Sequence, residues 1–169
     1  MLLGLSVETF TLLHVLISLA GIITGFIVAR GMLASDRMPR WTAGFLAATV
    51  LTSLTGFPLP PFGIDPPRLI GVISLVLLVV AVLGYYGFRL RGAWRWIYAV
   101  TAVIALYLNV FVFIVQAFQK VFFLNALAPT QSELPFVIVQ AVALIGFAAL
   151  GFLAVRRFHP RASDASLVT

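Results

Sequence analysis

The chain has 169 residues, 62% of them hydrophobic and 9% charged, with a mean hydropathy of +1.13 and a formal net charge of +6. A soluble domain needs roughly a quarter of its residues charged to cover itself in water, so this composition excludes a soluble protein and leaves an integral membrane one. The absence of cysteine excludes disulfides, thiolate metal sites and cysteine nucleophiles.

The N-terminal apolar stretch has no basic residue before it and is interrupted at its start by Glu8. It continues to Arg30, too long for the core of a signal peptide, and reads as a retained first helix. A spanning helix needs about twenty mostly apolar residues. Five stretches qualify: 7–28, 41–57, 69–88, 93–118 and 135–155. Pro39 precedes the second, a proline-rich loop from Pro58 to Pro67 precedes the third, and Pro129 and Pro135 frame the last loop. Proline donates no backbone hydrogen bond, so such clusters belong outside hydrocarbon. The expected fold class is all-α, an integral membrane helical bundle of five transmembrane helices. Positions 1–158 form one transmembrane domain, and 159–169 form a disordered cytoplasmic tail.

The second stretch is short and rich in threonine, and charge decides its status. Arg30, Arg37 and Arg40 follow the first stretch, Arg89, Arg91 and Arg95 lie around the third connection, and Arg156, Arg157 and Arg161 follow the fifth. Five spans put all three clusters on one side and leave Arg68 and Lys120 on the other. Four spans would set the first cluster against the other two. The positive-inside rule therefore predicts five spans, N-terminus out and C-terminus in.

Measured from those arginines at about 1.5 Å per residue, every helix offers a polar side chain at a similar depth. These are His14, Ser53 with Thr55, Ser74, Asn109 and Gln140, about 20 to 24 Å from the arginine boundary. Thr11, His14, Ser18, Gly21 and Gly25 recur every three or four residues and share one face. Gly21 and Gly25 form a G-x-x-x-G step that permits close helix approach. Gly44, Ala48, Thr52 and Thr55 make a similar stripe on the second helix. Two readings of the polar layer stand side by side. It is a His14-centred site, with Glu8, Gln116, Gln119 and Lys120 around an outer mouth, since ionisable groups inside membranes mark function. Or it is a set of interhelical hydrogen bonds of about 0.6 to 2 kcal/mol each.

No catalytic residue, metal ligand set or cofactor signature emerges. His14 and His159 stand at opposite ends of the bundle and cannot clasp one haem or one zinc ion. The carboxylates Glu8 and Glu133 both fall at the outer surface, far apart in sequence. The basic residues sit at helix ends, which makes anionic lipid headgroups the expected partner and not nucleic acid. A membrane protein partner or a second copy of the chain is the other expected contact. The stretch 97–120, followed by 126–133 (ALAPTQSE), resembles that of small uncharacterised bacterial inner-membrane proteins. The resemblance implies a multi-pass bacterial inner-membrane protein and carries no activity. The leading function class is a non-enzymatic membrane subunit or a binder of a small hydrophobic or uncharged ligand. The alternative is a small transporter or proton-linked permeation element.

Overall fold

The Oγ of Ser6 accepts the Thr9 backbone N–H at 3.1 Å, satisfying one of the donors that a helix start leaves open. From there the computed structural model, which describes residues 4–59 and 66–160 apart from the Pro67 side chain, is helical almost throughout. Pro60, Pro61 and Gly63 of the proline-rich loop, and the tail 161–169 with Arg161, lie outside these residues. Helix α1 is Val7–Leu33. It runs past the expected end at Val28 because no helix breaker intervenes before the left-handed Ser35. Helix α2, Pro39–Gly56, starts with proline in its first turn, where a missing N–H costs nothing. Helix α3, Pro66–Val82, passes into a π-helical turn, Leu83–Gly87. Helix α4 is Trp94–Lys120, α5 is a short Phe122–Leu127 turn pair, and α6 is Leu134–Arg157.

All five apolar stretches thus lie on helices. Four of those helices (α1, Arg68–Gly87, α4 and α6) are long and apolar enough to cross a membrane. Helix α2, at 18 residues, is outside that set. Large apolar side chains such as Leu12, Ile23, Val76, Val142 and Ile145 point away from the bundle. Water would make that exterior costly, whereas lipid solvates it. The chain is a multi-pass integral membrane protein, an all-α helical bundle.

Helix α4 is central and packs against α1, α3 and α6, while α2 lies against α1 and α3. The apolar core sits toward the arginine-rich end. It joins Val28, Ala29 and Met32 of α1, Phe45 and Leu46 of α2, and Leu78 and Ala81 of α3 to Tyr98, Ala102 and Leu106 of α4. Two glycines set the approach distances. A Cβ on Gly25 would run into Leu106 and come within 2.9 Å of the Phe45 ring. A Cβ on Gly84, in the π turn, would stand 3.3 Å from the Tyr98 Cβ.

Three connections meet at the arginine-rich end. Arg37 Nη2 donates to the Arg89 carbonyl at 2.9 Å, and Tyr85 Oη donates to the Arg37 carbonyl at 3.0 Å. Arg95 Nη1 donates to the Phe158 carbonyl at 2.5 Å, and the His159 N–H donates to Ser35 Oγ at 2.8 Å. At the opposite end, Arg68 Nε donates to the Phe57 carbonyl at 3.3 Å, tying the C-terminus of α2 to the start of α3.

Candidate functional site

His14 stands two turns into α1 and is half-buried against α2. Its Nδ1 is 2.8 Å from Thr55 Oγ1. The Thr55 hydroxyl has a single proton and directs it to the Leu51 carbonyl at 2.6 Å. Its oxygen is therefore the acceptor for the ring, which assigns the proton to Nδ1 and makes Nε2 the acceptor of the imidazole. The His14 carbonyl receives the Ser18 hydroxyl at 2.7 Å, a back-bond typical of small polar residues in helices.

The other members of the layer pair separately. Asn109 Nδ2 on α4 donates to Thr49 Oγ1 on α2 at 3.3 Å. Gly21 sits between them: a Cβ there would be 3.5 Å from both polar atoms. Ser53 is buried and donates to the Thr49 carbonyl at 3.0 Å. Ser74 is buried on α3. Gln140 Nε2 on α6 donates to the Phe111 carbonyl at 3.3 Å, while its Oε1 is buried without a partner among the described residues. The expected level of polar groups is thus a ladder of pairwise ties, α1 to α2, α2 to α4, and α4 to α6. His14 does not pair with Asn109 or Gln140: α1 packs directly on α4, but Asn109 meets it at Gly21, seven residues along α1 from His14, where it bonds Thr49, while His14 bonds Thr55.

Two residues absent from the sequence reading matter here. Thr49 takes bonds from both Asn109 and Ser53 and touches Gly21. Counted from Arg40, it lies about 13 Å deep, well short of the expected layer. The α2 face that is buried carries Thr42, Phe45, Leu46, Thr49 and Ser53. The stripe of Gly44, Ala48, Thr52 and Thr55 lies around the helix from it, along the α1 seam: Ala48 Cβ is 3.6 Å from a Cβ built on Gly21, and Gly44 adjoins Thr24. The period-3.6 spacing was visible, but two such stripes coexist on α2, and the one with bulkier members is the core face.

At the end opposite the arginine clusters, Glu8 is exposed in the first turn of α1, Gln116 is half-buried, and Lys120 is exposed at the end of α4. Gln119 Nε2 donates to Gln131 Oε1 at 3.4 Å, and Gln131 Nε2 donates to the Val115 carbonyl at 2.8 Å. Gln131, in the α5–α6 loop, is the unforeseen strap that holds this loop over α4. Glu133 closes the same loop. Desolvation acts to raise its pKa, but hydrogen bonds from backbone N–H groups, its own and those of Thr130 and Ser132, and from the Thr130 hydroxyl hold it below the usual carboxylate range. Among the described residues, no three His, Asp or Glu side chains gather closely enough to hold a metal ion.

Chemically, the arrangement offers hydrogen bonds inside a bundle and an imidazole whose Nδ1 is already engaged. It defines a polytopic helical membrane protein and nothing narrower. No protein-family model matches the chain, and neither a curated protein nor a solved structure matches it.

Proposed function

We propose that this protein is a five-span, N-out/C-in bundle of a bacterial inner membrane that acts without catalysing a reaction, as a membrane subunit or a binder of a small hydrophobic or uncharged ligand. The observation that carries the reading is the pairing of the polar layer. His14 with Thr55 and Asn109 with Thr49 bind helix to helix, the second pair against Gly21. The hydroxyls and amides tied to one another are poor general acids or bases, His14 keeps only Nε2 for proton exchange, and lipid-facing surfaces are left to meet a partner. Helix α2 supports the five-span count: at about 1.5 Å per residue its 18 residues extend about 27 Å, near the roughly 30 Å of hydrocarbon. Basic residues gathered where α1, α3 and α6 end support the orientation.

Purification from native membrane in a mild detergent tests this reading. A subunit brings a partner protein in fixed ratio, and a ligand binder brings a small molecule detectable by mass spectrometry. A protein recovered alone and empty argues against both.

A second reading is favoured by one specific atom. Among the described residues Gln140 Oε1 is buried and has no hydrogen-bond partner, and such an acceptor inside a membrane bundle suits a permeating donor. Under that reading the protein is a small transporter or proton-linked permeation element, and liposomes containing it show solute or proton flux.

A further inference from the structure

The turn between the π-helical segment and α4 folds around a recess of about 250 Å³ lined by Gly87, Phe88, Arg89, Arg91 and Trp94. The Phe88 and Trp94 rings stack face to face at 3.9 Å between centroids and 3° between planes, making a compact apolar wall. Both arginines are exposed, and among the described residues neither guanidinium has a hydrogen-bond or ion-pair partner. The neighbouring arginines differ. Arg37 and Arg95 use their guanidinium groups on the carbonyls of Arg89 and Phe158. The acidic side chain described at this end, Asp36, is engaged by the Met38 N–H at 3.1 Å. Helix α4 begins at the recess with no side-chain cap, so the positive end of its dipole adds to the same field.

We propose that this recess binds the phosphate of an anionic phospholipid, with Arg89 and Arg91 on the phosphate oxygens and the Phe88–Trp94 wall against the glycerol and upper acyl chain. Guanidinium is the group that matches phosphate oxygens in bidentate fashion. A free phosphate would satisfy the same arginines, but a second feature favours the lipid. Val76, Val79, Leu83 and Tyr86 are exposed at successive steps of three and four residues and lead along the helix to Gly87. That apolar track suits an acyl chain descending from a headgroup held at the recess. The inference rests on the reading that this end of the bundle meets the membrane–water boundary.

The test uses the full chain carrying Trp41→Phe and Trp96→Phe, which leaves Trp94 as the sole tryptophan, reconstituted in phosphatidylcholine vesicles. Brominated phosphatidylglycerol is compared with brominated phosphatidylcholine at equal mole fraction. The expected result is preferential quenching of Trp94 by the anionic lipid, with about fivefold preference contributed by each arginine. Arg89→Gln with Arg91→Gln collapses the preference, whereas Arg156→Gln with Arg157→Gln, which removes the same charge elsewhere, keeps it. Equal quenching by the two lipids, or equal loss in both double variants, overturns the site in favour of diffuse surface charge. Millimolar inorganic phosphate that abolishes the preference identifies free phosphate as the ligand and overturns the lipid assignment. Should the Arg89 change disturb folding, Arg91→Gln alone must lower the preference about fivefold. Quenching reports from either leaflet, so reporter fusions that invert the orientation leave this result standing, and a missing preference leaves the orientation standing.

Discussion

His14 and Thr55 are joined at 2.8 Å between α1 and α2, and the bond has a defined direction because the Thr55 proton is given to Leu51. The ring donates from Nδ1. Asparagine places an amide N–H as many bonds from the backbone as the imidazole Nδ1, and leucine has no donor. His14→Leu leaves Thr55 Oγ1 one donor short, while Thr55→Val leaves the imidazole N–H unmatched. Each single change should lower stability in detergent, and the double change should cost less than the sum. The coupling expected from such a cycle is about 0.6 to 2 kcal/mol. His14→Asn should lie nearer the wild type than His14→Leu. A coupling indistinguishable from zero means the two side chains do not support each other.

Gly25 and Gly21 look equivalent in sequence but differ in what surrounds them. A methyl at Gly25 collides with Leu106 and with Phe45, both buried, so Gly25→Ala forces core side chains off their rotamers. Overpacking of this kind costs about 1 to 3 kcal/mol. A methyl at Gly21 meets Asn109, Thr49 and Ala48 at 3.5 to 3.6 Å, ordinary contact distances, and alanine adds up to about 1 kcal/mol of helix propensity. Gly21→Ala should therefore be near neutral. Ile23→Leu, at a position 61% exposed, is the matching control. Equal unfolding midpoints for Gly25→Ala and Ile23→Leu would remove the close approach.

The same pair shows how far the sequence could be read. Apolar length located the helices, because in lipid a backbone must satisfy itself within each segment. Glycine spacing pointed to the packed face of α1. The inward direction of His14 was legible too, since it follows from position along one helix. Its partner was not legible. Height measured from an arginine boundary says nothing about which helix stands beside which, and α2 pairs with α1 ahead of α4. Thr49 was missed for a related reason: helices enter the boundary at different heights, so equal counting does not give equal depth. The π-helical turn at Leu83–Gly87 and the six-residue α5 left no periodic signal, being too short to show one.

Orientation is open to a direct test. The ends of α1, α3 and α6 carry Arg30, Arg37, Arg89, Arg91, Arg156 and Arg157, and Arg40 begins α2. Under the five-span reading, reporter fusions placed after Arg40, Ala93 and His159 are all cytoplasmic, and one after Gly63 is external. A cytoplasmic reporter at Gly63 would show that α2 does not cross, and the three arginine clusters would then divide between the two faces.

Gln140 separates the two functional readings. Its Nε2 donates to the Phe111 carbonyl at 3.3 Å, a long bond to an oxygen in mid-helix, and its Oε1 is buried and has no partner among the described residues. An orphaned buried acceptor costs about 1 to 3 kcal/mol, while the amide bond returns about 0.6 kcal/mol. Gln140→Leu deletes both, so the variant should be at least as stable as the wild type, measured by thermal unfolding in detergent. A polar group that weakens the bundle is retained for something other than packing. If liposomes with the wild-type protein show a proton or solute flux that Gln140→Leu abolishes while folding is preserved, the permeation reading displaces the subunit reading. If Gln140→Leu is instead less stable by more than about 1 kcal/mol, the amide is one more tie in the ladder, and Oε1 is satisfied in the membrane by a partner such as a bound water.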